Sequence, residues 1–483
     1  MKQKVIQKIL GILMFGFGLI LLTPIIISLI YDDRTHYSFI IAAFINLLIG
    51  FALWVPNRNS KDELKIRDGF IVVVLFWVVL SIGGSVPFLI TSSIEITFFE
   101  AIFESFSGLT TTGATIISNL EILPKSILFY RQLLQWLGGM GIIVLAVAIL
   151  PILGVGGMQL YKAETPGPNK DAKLTPRIKE TAKALWTIYL ALTFFCAIAY
   201  YLAGMSLFDA INHSFSTVAI GGFSTHNASI GHFNSVAIDF TVSIFMFLAA
   251  INFSLHFIAW KNKNITTYLK DAEFKGYLVI LLIVTSIITV NLYTRTYEGD
   301  FVLALRYSIF QAISFCTTTG FTNAQFQIWP SFIVFILLIA ACIGGCAGST
   351  AGGIKVVRFI FMIKKSTHEI KQLIHPNALL PMRLGRRPIN SRIIEGVWGF
   401  LGAYVVIFIL VFLTLSLQGL DTKTAFSAVV ACINNLGPGL GTVSNDYSML
   451  NDLSKMILCL AMLLGRLEIF TLLVVLSPAF WRT

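Results

Sequence analysis

Four times along this chain, at Gly113, Gly222, Gly320 and Gly437, a short apolar segment ends in a small-residue turn: TTTG, AIGG, TTTG and NNLG. The intervals are 109, 98 and 117 residues, and one unit repeated at a steady period is how a single polypeptide builds a closed arrangement around an axis. The first expectation is therefore a pore on that axis.

The surroundings of the turns say what medium the axis crosses. With 56% hydrophobic residues and 12% charged, and a mean hydropathy of +0.82, the chain lacks the polar surface to cover a water-soluble globule of its size. Apolar runs long enough for the roughly 30 Å hydrocarbon core lie near 9–30, 37–55, 69–90, 127–150, 182–204, 236–260, 275–293, 329–363, 394–417 and 453–479. The first follows Met1, Lys2, Lys4 and Lys8 as a signal peptide would, but its apolar stretch is too long and lacks a small-residue cleavage site, so it reads as a retained anchor.

A net charge of +11 raises the question of nucleic acid. The placement of the basic residues answers it: the N-terminus, the C-terminus and alternate loops hold 26 of the 35 Lys and Arg, whereas the opposite loops hold seven. By the positive-inside rule both termini are expected to be cytoplasmic, with ten crossings between them. The charge is topological, and no nucleic-acid partner is expected.

Four further apolar segments, 97–110, 206–219, 303–317 and 422–435, are too short to cross. A helix of about 14 residues reaches about 21 Å, so each should enter the membrane and turn back. The order span, half-helix, turn, span restores the starting side, so all four repeats point the same way. Counting back from the glycines, the twelfth residues are Ala101, Ala210, Ser308 and Ala425 and the eleventh Ile102, Ile211, Ile309 and Phe426, a small-then-large step that favours Gly437 over Gly439 as the fourth turn glycine. The expected fold is an all-α integral membrane protein. Two N-terminal helices (1–60) precede repeats at 61–160, 176–262, 272–372 and 390–483.

The residues just before the glycines differ between repeats: Thr111 and Thr112, Ile220 and Gly221, Thr318 and Thr319, Asn435 and Leu436. Ile and Leu offer no ligand, so the common donors must be backbone carbonyls. Rings of carbonyls replace the hydration shell of an alkali cation, and glycine supplies the positive φ that aims them. The half-helices also bring their partly negative C-terminal ends to the same place.

Two features break the fourfold order. GGCAGSTAGG at 344–353, with Gly344, Gly345, Gly348, Gly352 and Gly353, lies inside a run from Trp329 to Ile363 that is much longer than one crossing. The helix should be interrupted there, and irregular backbone at that depth is tolerated where it is buried in protein or lines a cavity. A movable constriction below the turns is the expectation, with GxxxG-type helix packing as the alternative. Arg466 sits deep in the last helix, and an intramembrane charge is a functional candidate with a partner to be found, either the glycine-loop carbonyls or Glu468.

Other features point less sharply. Glu100, Glu104, Asp209, Asp300 and Asp446 fall on the outer side, as mouth acids or as solvated surface. His213, His226 and His232 cluster near the second turn without metal-ligand spacing. The basic stretch 355–392, with Lys355, Arg358, Arg386 and Arg387, suits a soluble partner or anionic lipid. The six cysteines all fall in apolar segments and read as packing. Neither a Walker loop nor a dinucleotide fingerprint nor a nucleophile elbow occurs, so no enzyme and no organic cofactor are expected.

TTTGAT at 110–115, AIGGFS at 219–224, TTTGFT at 317–322, NNLGPG at 434–439 and GGCAGSTAGGIK at 344–355 together resemble the TrkH family, the membrane subunits of bacterial Trk potassium uptake systems. The resemblance runs over essentially the whole chain, and the two extra N-terminal spans favour it over the shorter KtrB relatives. It implies potassium uptake across the bacterial inner membrane by a homodimer with one pore per subunit, controlled by a cytosolic nucleotide-binding partner of the TrkA type. It also implies that Thr111, Thr112, Ile220, Gly221, Thr318, Thr319, Asn435 and Leu436 bind K+ through their carbonyls, and that the 344–353 loop and Arg466 form the gate. Plant and fungal relatives that admit sodium can have Ser at the first filter glycine, where this chain has Gly113. NNLG departs from TTTG, which implies a lopsided ring of modest selectivity. A coupled secondary transporter using the same site is the alternative.

Overall fold

A computed structural model describes residues 3–60, 66–144, 178–297, 299–377, 383–384, 387–388 and 391–482. It is helical apart from one two-residue antiparallel pairing of Arg383–Leu384 with Arg387–Pro388. Two helices, α1 (Gln3–Ile20) and α2 (Thr23–Tyr31), form the first apolar stretch, and α3 (His36–Trp54) packs along α1. Close approach there is made by Gly11 and Gly50, where an added Cβ would lie 2.7 Å from Trp54 N and 2.6 Å from Phe15 N respectively.

The four repeats follow in order. The first is α4 (Ile66–Ile90), half-helix α5 (Phe98–Leu109) and α6 (Lys125–Val144). The second is α7 (Ile178–Leu202), half-helix α8 (Leu207–Ala219), then α9 (Val236–Ala249) and α10 (Phe253–Lys261), with the short α11 (Thr266–Lys270) after it. The third is α12 (Ala272–Arg295), half-helix α13 (Phe301–Cys316), α14 (Ser331–Ile343) and α15 (Val356–Ile374). The fourth is α16 (Ser391–Leu417), half-helix α17 (Thr422–Ile433), α18 (Asp452–Arg466), α19 (Phe470–Leu476) and α20 (Pro478–Trp481). The repeat limits read from the sequence at 61, 160, 176, 390 and 483, and the last six residues of the run 127–150, fall outside the described residues.

Each half-helix starts on a side-chain cap. Thr97 forms a capping box with Glu100, Ser206 accepts from Asp209 N–H, Asp300 from Leu303 N–H and Asp421 from Thr424 N–H. Such caps satisfy the orphan amides of the first turn and cost about 1 kcal/mol to remove. They matter more where water is scarce, because an unpaired amide has no other partner. The half-helices lie in the middle of the bundle, with Ala101 to Leu109 and Thr424 to Ile433 largely buried. The outer helices instead expose large apolar side chains, among them Phe44, Phe194, Leu202, Val290 and Leu417.

Among the described residues six helices are long and apolar enough to cross a membrane, or eight if each bent pair is one span. The ten runs read from the sequence therefore need correcting in shape. The run 236–260 bends by 91° between α9 and α10, and 453–479 bends by 116° between α18 and α19. In the first, Phe253 N–H donates to Gly348 O and Asn252 Oδ1 caps Ser254 N–H, so a tertiary contact turns the chain. In the second, Glu468 and Ile469 both take positive φ, 53° and 58°. The run 329–363 is broken, its two helices separated by the glycine loop.

Candidate functional site

All four half-helices end in the same hydrogen-bonded turn. The N–H groups of Thr112, Gly221, Thr319 and Leu436 donate to the carbonyls of Ser107, Ser216, Ser314 and Ala431 at 2.8–2.9 Å. Those of Thr111, Ile220, Thr318 and Asn435 donate to Gly108, Thr217, Phe315 and Cys432. This is the Schellman pairing, which requires a left-handed residue after the helix. That residue is not glycine here: Thr111, Ile220, Thr318 and Asn435 have φ of 52°, 56°, 62° and 53°. A β-branched residue in that region is a genuine outlier costing on the order of 1–3 kcal/mol, and it occurs at three of the four turns.

Two residues on, Gly113, Gly222, Gly320 and Gly437 have φ of 82°, 79°, 80° and 92°, with negative φ at the residue between. Handedness therefore alternates along each turn. Gly439 does not share the positive φ, so Gly437 holds the fourth position.

The four turns meet in a closed ring. A Cβ added to Gly113 would lie 2.2 Å from Gly221 O, one on Gly222 would lie 2.1 Å from Thr319 O, one on Gly320 would lie 2.0 Å from Leu436 O, and one on Gly437 would lie 2.6 Å from Thr112 O. Each glycine faces the next repeat's carbonyl, and the fourth returns to the first.

The side chains of the turns point into the wall. Thr112 Oγ1 pairs with Thr110 Oγ1 and accepts from Asn435 Nδ2; Asn435 Nδ2 also reaches Met462 O; Thr319 Oγ1 pairs with Thr317 Oγ1; and Thr318 Oγ1 accepts from Gly352 N–H. Among the described residues no donor reaches the carbonyls of Thr111, Thr112, Ile220, Thr318, Thr319, Asn435 or Leu436. Gly221 O accepts from Gln135 Nε2 at 2.7 Å. Seven undonated carbonyls on residues that are all buried cost about 1–3 kcal/mol each if left unsatisfied. The ring thus favours an occupant that accepts many oxygen contacts at once, which is a description of a desolvated cation.

The irregular stretches that follow the turns, the exit strands, are tied by polar side chains that composition does not advertise. Gln135 accepts from Phe223 N–H, Gln132 donates to Phe223 O, and Arg131 donates to Ser224 O. Nine residues before each of the first three glycines stand Glu104, His213 and Gln311, which reach Ile116 N–H, Ser224 Oγ and Asn323 Oδ1 respectively. Glu104 is fully buried against Arg131 at 2.7 Å, which also lies over the Phe223 ring. Glu104 is therefore not a free mouth acid. Glu100 pairs with Lys455, Asp239 with Arg306, and Asp300 caps α13. Burial, and then the neighbouring His226, hold the His232 imidazole below its usual range.

Below the ring runs the glycine loop between α14 and α15. A Cβ on Gly352 would lie 2.0 Å from Asn434 O, and Thr350 Oγ1 donates to Val218 O at 3.0 Å. Arg466 donates to Thr350 O and to Gly138 O, both at 3.2 Å, and its guanidinium lies 5.6 Å from the Trp77 ring. Of the two partners foreseen for Arg466, it takes the loop carbonyl; Glu468 pairs instead with Arg358 at 2.6 Å. Glu273, buried at the start of α12, accepts from Ala347 N–H and Val357 N–H and so pins both ends of the loop. Lys355 Nζ donates to Ala351 O. Lys355 and Arg358, two members of the basic stretch, are thus engaged inside the molecule, while Arg386 lies outside the described residues.

Residues 35–483 match the model of a protein family described as TrkH, cation transport protein. The chain is 50% identical over 483 residues to the Trk system potassium uptake protein TrkH of Halomonas elongata, with all of both chains covered. It is 49% identical to the protein of the same name from Escherichia coli, again over the whole of both, and 41% identical to TrkG of that organism over 99% of each. A crystal structure of the potassium transporter TrkH from Vibrio parahaemolyticus superposes with a TM-score of 0.93 at 48% identity over all of both chains.

Proposed function

The chain belongs to the TrkH family of cation transport proteins, and from that premise we propose that it takes up potassium ions across a bacterial inner membrane through the ring of turns. The observation that carries this reading is the ring itself: seven carbonyls that no donor among the described residues reaches, on four turns of one geometry, around a line where four glycines face one another. The ligands are the carbonyls of Thr111, Thr112, Ile220, Gly221, Thr318, Thr319, Asn435 and Leu436, with Gly113, Gly222, Gly320 and Gly437 as the permissive positions. Potassium is the bound and transported ion, and no organic cofactor takes part.

How the ring selects follows from its construction. The Schellman closure and the wall-facing side chains fix where each carbonyl sits, so the ring cannot collapse freely onto a smaller ion. Half-helix C-termini add partial negative charge without a carboxylate that would hold the ion too tightly. Gln135 on Gly221 O makes the second repeat unlike the others, and Asn435 ties the fourth to the first; both support a lopsided ring.

The glycine loop is the gate in this reading. Gly344, Gly345, Gly348, Gly352 and Gly353 let it lie flat under the ring, and Arg466 holds it there through Thr350 O. Release of that contact would free the path. Control comes from a cytosolic nucleotide-binding subunit of the TrkA type acting on the cytoplasmic ends, in a homodimer of subunits with both termini cytoplasmic. The exposed end of α15 and the basic residues after it suit such a partner or the lipid headgroups beside it.

Rubidium uptake into proteoliposomes, with and without an opposing sodium or proton gradient, tests the reading. Uptake driven by the rubidium gradient alone supports a pore. An absolute requirement for sodium or protons would replace it with a coupled transporter working at the same site.

A further inference from the structure

The turn of repeat two leads into a loop that carries histidines with no role in the carbonyl ring. A ring nitrogen of His226, one of His232 and a carboxylate oxygen of Glu121 all lie within 4.8 Å of one another. Glu121 comes from the exit strand of repeat one, and the histidines from that of repeat two. From this convergence we propose that Glu121, His226 and His232 form a binding site for a divalent transition-metal cation of the zinc class, and that an ion held there impedes entry of monovalent cations into the ring. The sidedness of the block, from outside the cell, rests on the orientation proposed above; the binding does not.

The donor set fits that class. Two imidazoles and a carboxylate, with a fourth position left to water, are a recurrent zinc arrangement, and imidazole also suits nickel, copper and cobalt. A tetrahedral ion with bonds of roughly 2.1 Å places its ligand atoms roughly 3.4 Å apart, and with all three within 4.8 Å the side chains need close by no more than about 1.4 Å. Glu121 and His232 are exposed and can do this by rotation, while His226 is half-buried and sets the position. Solvent reaches the site, so an ion has a way in.

The frame is already built. Asn227 Oδ1 accepts from Leu120 N–H at 2.8 Å and Asn227 Nδ2 donates to Asn119 Oδ1, which joins the two exit strands beside Glu121. Gly231 N–H donates to Thr322 O, which ties the histidine loop to repeat three. The His226 and His232 rings stack at 3.6 Å and within 3° of parallel, so the exposed His232 ring must tilt out of the stack for both in-plane lone pairs to meet one ion. Asp209 Oδ1 lies 3.4 Å from His226 Nε2, so a carboxylate stands beside the half-buried ring.

The position explains the expected effect. His226 stands four residues beyond Gly222, and its ring lies 6.5 Å from that of His213, which itself holds Ser224. A doubly charged ion there opposes the approach of K+ within a Debye length and staples two of the four strands that frame the mouth.

The test uses the full-length purified protein. Co2+ titrated into detergent-solubilised protein should give a tetrahedral visible absorption band. Glu121→Gln and His232→Ala should each weaken Co2+ binding at least about tenfold, with His375→Ala, on an exposed residue beyond α15, unchanged. Both substituted side chains are exposed, so folding is not at issue. Zn2+ added outside proteoliposomes holding EDTA within should slow rubidium uptake by the wild type and spare His232→Ala. No cobalt band, or equal binding by all variants, would overturn the site. Binding lost in the variants with zinc leaving wild-type uptake unchanged would overturn the block.

Discussion

Gly113→Ser places a side chain where the ring has no room for one. Its Cβ would start 2.2 Å from Gly221 O, at a backbone φ of 82°. Ordinary carbon–oxygen contact begins about 1 Å further out, so at 2.2 Å the atoms overlap and the Gly221 carbonyl must shift. The left-handed conformation adds roughly 1–2 kcal/mol for any residue with a Cβ. The displaced carbonyl is one of the proposed ligands, so a perturbation of that size falls on ion discrimination. About 1.4 kcal/mol corresponds to a tenfold change in preference, and the expected result is a roughly tenfold loss of potassium over sodium selectivity with uptake retained. Gly419→Ser separates strain from position, since Gly419 has φ of 90° with nothing within 4 Å of an added Cβ. Sodium competition against rubidium uptake in proteoliposomes reads both variants. Wild-type selectivity in a folded Gly113→Ser protein, or an equal loss in Gly419→Ser, would show that the contact with Gly221 O does not govern discrimination.

Three other outcomes follow from the same contacts. Arg466→Gln removes the guanidinium from Thr350 O and Gly138 O and should raise uptake in the absence of any regulatory subunit several-fold; flat uptake by intact protein would take the gate from this loop. Glu104→Ala leaves Arg131 buried without its carboxylate, which should cost about 3–5 kcal/mol and show as a clear drop in thermal stability in detergent. Gln135→Leu removes the bonds to Gly221 O and Phe223 N–H; it should lower stability by about 1–3 kcal/mol and shift selectivity, and a purely structural Gln135 would move only the first.

The half-helices were legible from length and register alone, although a second local signal, the cap, coincides with them. Their apolar stretches are too short to cross, and each begins at a Thr, Ser or Asp that the structure uses as a cap. The register of the fourth turn was legible from the Ala425–Phe426 step, which points to the glycine that takes positive φ. The left-handed residues before the glycines were not legible. Propensity argues against Ile220 and Thr111 in that conformation, and only the closed ring imposes it. The bends at 250–252 and 467–469 were hidden for a related reason: the apolar pattern runs through them, and the contacts that turn the chain come from the glycine loop and from Arg358. Gln132, Gln135 and Glu273 sit at the ends of membrane helices or within one, where a lone polar residue gives no hint of which backbone it will hold. Glu104 misled in the other direction, since an acid near a mouth looks solvated until Arg131 is seen beside it.

In the proposed site monovalent cations bind between the carbonyls of four turns of one geometry. Thallium, a heavy stand-in for potassium, makes such an ion visible by anomalous scattering from crystals of the protein. A peak is expected on the line enclosed by Thr111–Thr112, Ile220–Gly221, Thr318–Thr319 and Asn435–Leu436, weakened in Gly113→Ser. Thallium density absent from that line while present elsewhere in the molecule would contradict it.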